Sequence, residues 1–211
     1  LGRRMEFVWQ RVGRGFVRET LDKGKCDVLV GVPSQFRQAL TTLPYYSSSY
    51  VFITRKNRKL NLNSFDDPRL ETMKIGVQIL DDDYAPPARA LSRRRLTMNI
   101  VGFDVAGKDS GEIVQAVARR KIDVAVVWGP LAGYYAARQR VPLELSPVTP
   151  ELDPPALPFR FAMAMAVRKS NAALKNQIEQ ALIQQHAQIE KILHAYSVPE
   201  YQTRAQARLQ Q

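Results

Sequence analysis

The sequence predicts a two-lobed α/β protein joined by two crossover strands, and three observations carry that prediction. Short runs of apolar, β-branched residues alternate with helical segments along most of the chain. Tyr50, Val51, Phe52 and Ile53 begin as a strand and dissolve into the charged break of Arg55, Lys56, Arg58 and Lys59, after which a fresh domain-like pattern starts. Residues 159–167 then supply a second strand able to bring the chain home. The expected lobes are residues 1–50 with 163–211, and residues 51–162. The hinge is expected at Tyr50, Val51, Phe52, Phe161 and Ala162, with a cleft where strand ends of the two lobes face each other.

In order, residues 5–10 alternate and read as a strand, Gly13 to Phe16 turn it, and residues 17–21 form a short helix stopped by Gly24. Residues 27–32 read as a buried strand closed by Gly31 and Pro33, giving a β-α-β unit with a parallel strand pair. Beyond the first crossover, residues 61–70 are linker with a turn at Asp66-Asp67-Pro68. Strands are expected at 74–78, 98–103 and 123–128, and helices at 88–95 and 111–120. Pro130 opens a helix over 131–138, where its fixed φ is favourable. A proline-rich, extended traverse over 141–158 leads to the return strand. Leu174, Ile178, Leu182, Ile189, Leu193 and Tyr196 then mark one long amphipathic helix or two end to end, closed by Ser197-Val198-Pro199.

Hydrophobic residues make up 45% of the chain and charged residues 24%, ordinary for a globular protein. The longest uncharged stretch, residues 124–137, contains Gly129, Pro130 and Gly133 and falls short of the ~18 residues a spanning helix needs. No membrane insertion and no signal peptide are expected. The net charge of +11 predicts attraction to something anionic. The cations are scattered, however, and the two densest clusters, Arg93-Arg94-Arg95 and Arg119-Arg120-Lys121, fall at helix ends, where they offset the helix dipole. With no interleaved aromatic and basic face, nucleic acid is not an expected partner.

Catalytic vocabulary is missing. Gly13-x-Gly15 lacks the third glycine of a dinucleotide fingerprint and reads as a tight turn. Asp81-Asp82-Asp83 splays three carboxylates with no glycine at calcium-loop spacing, and reads as a solvated loop capping the next helix. His186 and His194 have no third ligand near them. Cys26 is a small core residue or half of a disulfide. No serine-hydrolase motif or P-loop is present, so no enzyme, metal or cofactor is expected. What remains is a set of aromatic and small residues at strand ends: Trp9, Tyr45, Tyr46, Ser47 to Ser49, Trp128, Gly129, Pro130, Tyr134 and Tyr135. They serve either as packing beneath loops or as a recognition surface, since Tyr and Trp offer large contact area at small entropic cost.

The two-crossover pattern, with Leu40-Thr41-Thr42-Leu43-Pro44-Tyr45-Tyr46 feeding the first hinge strand, resembles the type II periplasmic solute-binding proteins. Four stretches narrow the likeness: residues 14–21, residues 26–33, residues 128–134 and residues 196–199. Together they resemble the binding-protein-like accessory proteins encoded with quinoprotein methanol dehydrogenases (XoxJ and MoxJ). The resemblance implies a periplasmic, monomeric, non-enzymatic protein that docks through its cleft with a PQQ-dependent, calcium- or lanthanide-dependent methanol dehydrogenase and assists its activation or maturation, in a chaperone-like way. The enzyme's cytochrome c is a second implied partner. The family begins with a further strand and helix in lobe 1, missing here, and that segment carries a cysteine that could partner Cys26.

Relative to amino-acid-binding members, the resemblance implies two losses. Ile79-Leu80-Asp81-Asp82-Asp83 stands where a Gly-Thr-rich helix start would hold a carboxylate, and Gly129 stands where an aspartate would hold an amine. Arg37, three residues after Ser34, keeps a carboxylate-clamp spacing. The candidate cleft residues are therefore Trp9, Arg11, Ser34, Arg37, Tyr45, Tyr46, Ser47, Gln78, Trp128, Gly129, Pro130 and Tyr134. The alternative is a conventional substrate-binding protein that hands a small solute to an ABC transporter.

Overall fold

The structure, a computed structural model, describes residues 1–2, 4–10, 13, 15–80, 83–104 and 109–199, with the backbone alone at 80, 83 and 84. In chain order the elements are β1 (Val28–Pro33), β2 (Leu40–Thr41), β3 (Tyr46–Arg55), β4 (Ile75–Leu80), β5 (Asp83–Tyr84), α1 (Pro86–Arg93), β6 (Ile100–Asp104) and α2 (Glu112–Ala118). They continue with β7 (Val124–Trp128), α3 (Gly129–Ala136), β8 (Leu143–Pro147), β9 (Leu152–Asp153), β10 (Leu157–Pro158), β11 (Arg160–Val167), α4 (Ala172–Gln184) and α5 (His186–Ala195). The chain forms two compact units: Leu1–Ser47 with Phe161–His194, and Ser48–Arg160 with Ala195–Pro199. The short piece Ala195–Pro199 belongs with the second unit, which the sequence reading did not foresee.

In the first unit, β1 and β2 both pair antiparallel with β11. The register slips between Val30 and Val32, and Gly31 sits there at φ +76°, a bulge conformation that a side chain would strain. A π-helical turn, Arg18–Asp22, buries Thr20 and Leu21, and Leu21 packs with Val17, Leu29, Ala39 and Ala166. α4 starts at Asn171, whose side chain accepts the Leu174 N–H, an N-cap of the expected kind. It stops at Gln185, and α5 follows; the apolar repeat thus serves two helices.

Two expectations fail in this unit. Residues 4–10 carry no strand, and Met5, Phe7, Val8 and Trp9 are exposed. β1 is antiparallel to β11, and Val30 is 67% exposed, so it is a half-covered strand rather than the buried member of a parallel pair. The physical reason is the same for both: without a strand at 4–10 the β-α-β pair has no first member. β-branched residues suit a pleat covered on one face as well as one covered on both.

In the second unit β4 pairs in parallel with β6 and β7, while β3 pairs antiparallel with β7 and β8. β5 turns back on the end of β4. Ile113, Val114 and Val117 of α2 pack with Val51, Ile53, Ala125, Val127 and Ala132, the periodicity that marked α2 in the sequence. β3 begins at Tyr46, earlier than expected, so Tyr46 and Ser47 to Ser49 lie inside a fully buried strand and not in a loop. The helix α1 has Ala85 at its N-cap, with no cap from that side chain, and a proline in its first turn; of the aspartate run expected to cap it, Asp81, Asp82 and the side chain of Asp83 lie outside the described residues.

The arginines ending α1 are structural. Arg93 Nη1 pairs with Asp153 Oδ2 at 3.0 Å and Arg94 Nη2 with Asp153 Oδ1 at 2.7 Å, while Arg94 Nε reaches Asp66 at 2.7 Å. The Asp153 side chain is 3% exposed, so its charge depends on both guanidinium groups. Asp153→Ala is expected to lower unfolding free energy by about 2 kcal/mol in urea titration, the usual loss for a hydrogen-bonded buried charge. The Arg94 hydrogen bond holds the Asp66 carboxyl below its ordinary range. A depressed carboxylate stabilises the fold above its unfolded value and stops doing so on protonation. Arg94→Met should therefore flatten the fall of stability as pH drops below about 4, read by thermal melts across pH.

Candidate functional site

Most of the predicted site residues in the second unit converge where β7 hands over to α3. Proline in the first turn gives α3 a preset φ, and the helix begins at Gly129, directly after Trp128. Gly129 is buried, and a Cβ there would stand 2.5 Å from Ser48 Oγ and 2.7 Å from the Ser49 carbonyl oxygen. Gln78, buried on β4, accepts the Trp128 N–H at 2.7 Å. The Trp128 ring meets Tyr50 edge-on, centroids 5.5 Å apart at 62°. Burial pushes the Tyr50 hydroxyl well above its ordinary pKa.

Residues 195–199 close over the same face of α3, the one that carries Gly129 and Gly133. Ser48 Oγ donates to the Pro199 carbonyl at 2.6 Å. A Cβ on Gly133 would overlap the Ser197 carbonyl oxygen, so only glycine lets the segment lie this close. Tyr196 stacks on Tyr134 at 5.4 Å and 17°, and the Arg138 guanidinium lies 3.5 Å from the Tyr134 ring centroid on α3. These contacts leave α3 with an aromatic, hydrogen-bonded collar built from its own chain. It offers aromatic contact area. Among the described residues no three His, Cys, Asp or Glu side chains cluster as metal ligands would.

The remaining predicted residues lie in the first unit. Tyr45 and Tyr46 meet edge to face at 5.0 Å; Tyr46 is buried, and burial followed by the neighbouring Tyr46 raises the Tyr45 hydroxyl. Ser47 is buried and its Oγ donates to the Phe161 carbonyl at 3.3 Å. The Ser34 N–H donates to the Ala162 carbonyl, and its own carbonyl accepts from Thr41 Oγ1. Arg37 is exposed, and Trp9 is 90% exposed and stacked on Phe7. Arg11 lies outside the described residues. Of the expected hinge positions, Tyr50, Val51 and Phe52 are buried in β3, and Phe161 and Ala162 fall in β11. Cys26 is a free, partly buried thiol.

Sequence reasoning singled out Ser48 among the small residues at strand ends but missed Gly133, Arg138 and residues 196–199 as parts of this site. The Gly133 spacing and the closing Ser197-Val198-Pro199 were visible, but nothing in one dimension says that they meet. Gly133→Ala should dislodge the 195–199 segment: we expect faster proteolysis near Tyr196 and a loss of about 2 kcal/mol in stability.

No protein-family model matches the chain. The protein MoxJ of Methylorubrum extorquens is 33% identical over 214 residues, covering 94% of this chain and 71% of the relative. The chain belongs to the MoxJ family. The crystal structure of MxaJ from Methlophaga aminisulfidivorans MPT aligns with a TM-score of 0.79 at 27% identity, covering 94% of this chain and 86% of that one. That of the periplasmic binding protein XoxJ from Methylobacterium extorquens AM1 aligns at 0.71 and 32%, covering 91% and 81%. The fold is that of the type II periplasmic binding proteins, as the crossover pattern of the sequence implied. Among the described residues no helix is long and apolar enough to cross a membrane.

Proposed function

We propose that this MoxJ-family chain is a non-enzymatic periplasmic protein that docks with a PQQ-dependent methanol dehydrogenase and assists its activation or maturation. The observation that carries the reading is the collar around α3. Tyr50, Trp128, Gly129, Gln78 and Pro199 are engaged with one another and with Ser48. A solute receptor needs convergent polar groups free to grip a charged ligand. At this helix start the buried polar groups are spent internally, and Gly129 brings no carboxylate for an amine. The aromatic surface of Trp128, Pro130 and Tyr134 in the second unit suits contact with a protein; in the first unit Tyr45, Ser34, Arg37 and Trp9 are separate proposed contact residues. The enzyme's cytochrome c is a further proposed partner, and the protein acts as a monomer with no cofactor of its own.

Calorimetry with the apo- and holo-forms of a lanthanide- and a calcium-dependent methanol dehydrogenase tests the reading. Binding to at least one form is expected, and Tyr134→Ala should weaken it by about tenfold, the loss of one aromatic contact residue. Silence with every form removes the proposal. A thermal-shift screen with PQQ, amino acids, amines and lanthanide ions provides the contrary outcome. A stabilisation above about 2 kcal/mol at a ligand concentration near 100 times Kd would instead mark a transport receptor.

A further inference from the structure

The edge of the second unit's sheet offers a separate surface. β6 pairs in parallel with β4, and no strand among the described residues pairs with its other side. An edge strand of this kind presents a row of unpaired N–H and C=O groups to any extended chain that can reach it. Along it runs an open groove of about 650 Å³, floored by Met73, Val101, Phe103 and Ile122. Met98, at the start of the groove, is 92% exposed, an unusual placement for a large apolar side chain.

The charges along this groove are sorted. Lys74 precedes β4, and Arg119 and Lys121 follow α2, so three cations from two separate segments line the same groove. All three are exposed, and none of their side chains has an ion-pair partner among the described residues. Because Ile75 is in register with Ile100, they mark the end where β6 begins. Glu112, in the first turn of α2, marks the opposite end. Dipole compensation accounts for Arg119 at the end of α2 but not for Lys74, which is on no helix.

We propose that β6 is a docking edge for an extended, acidic segment of a partner protein, which adds as a strand outside β6. Its alternate apolar side chains enter the groove beside Met98 and Phe103, and carboxylates at one end meet Lys74, Arg119 and Lys121. Main-chain hydrogen bonds supply affinity, the pocket selects alternate side chains, and the sorted charges set orientation. This surface is distinct from the α3 collar and does not depend on the reading given above.

The probe is a blocked, fluorescein-labelled peptide, Asp-Glu-Val-Thr-Phe-Thr-Val-Lys, with its reversed sequence to allow for either strand direction. Fluorescence anisotropy at low salt should rise for one of the two. The Arg119→Glu/Lys121→Glu double variant should weaken that binding by at least about tenfold while leaving the melting curve nearly unchanged, both positions being exposed. Met98→Asp should weaken it too. Proline at alternate peptide positions should abolish it, and amide exchange in β6 should slow in the complex. The proposal fails if neither peptide binds at about 1 mM, or if binding survives both the proline substitutions and the charge reversal. It fails equally if inorganic phosphate displaces the peptide with no change in β6 exchange, or if the chain alone self-associates through this edge and Met98→Asp disperses it.

Discussion

Every residue of β3 is buried, yet half of them are polar, and the packing around the strand follows from that conflict. A buried hydroxyl without a partner costs about 1–3 kcal/mol and a buried guanidinium more, so each must find an acceptor inside the protein. Ser47 uses the Phe161 carbonyl, Ser48 the Pro199 carbonyl and Ser49 the Tyr50 carbonyl. Arg55 donates to the Val117 carbonyl, and burial foremost, with Arg120 and Arg58 adding to it, lowers its pKa. The Ser49 bond stays within the strand, and the other three tie it to three different segments of the chain. The apolar residues between them, Val51, Phe52 and Ile53, contribute the hydrophobic burial that offsets the desolvation.

The same strand explains why residues 195–199 sit where they do. Ser48 and Ser49 leave room for the backbone of Gly129, and Ser48 then holds Pro199. Gly133 opens α3 to Ser197, and the Tyr134–Tyr196 stack covers the contact. Small residues on β3 and α3 thus permit close backbone approach, and aromatic residues close the remaining surface.

Charge plays two roles that composition alone blends together. At the end of α1, Arg93 and Arg94 are consumed by Asp153 and Asp66 and act as structural cations. Beside β6, Lys74, Arg119 and Lys121 have no such partners among the described residues and keep their charge available to solvent or to another molecule. A net charge of +11 is therefore not a uniform field but a mixture of spent and unspent groups.

Much of the second unit was legible in one dimension, because its elements obey local rules. The apolar period of α2, the short runs of β4 and β7, and the proline opening α3 each specify their element through contacts within a few residues. The crossover pattern and the residues that resemble MoxJ relatives were legible for the same reason. The first unit was less so. Residues 5–10 alternate like a strand but have none, and β1 pairs antiparallel where a parallel partner was expected, because pairing depends on which strand is present to receive it. Of the α3 collar, Gln78, Trp128, Gly129, Pro130 and Tyr134 were named from the sequence, but the way the closing segment meets them was hidden. Gly129, Gly133 and residues 196–199 are over sixty residues apart at their extremes, and their value lies in overlapping volumes and one serine hydroxyl, which only the folded chain brings into contact.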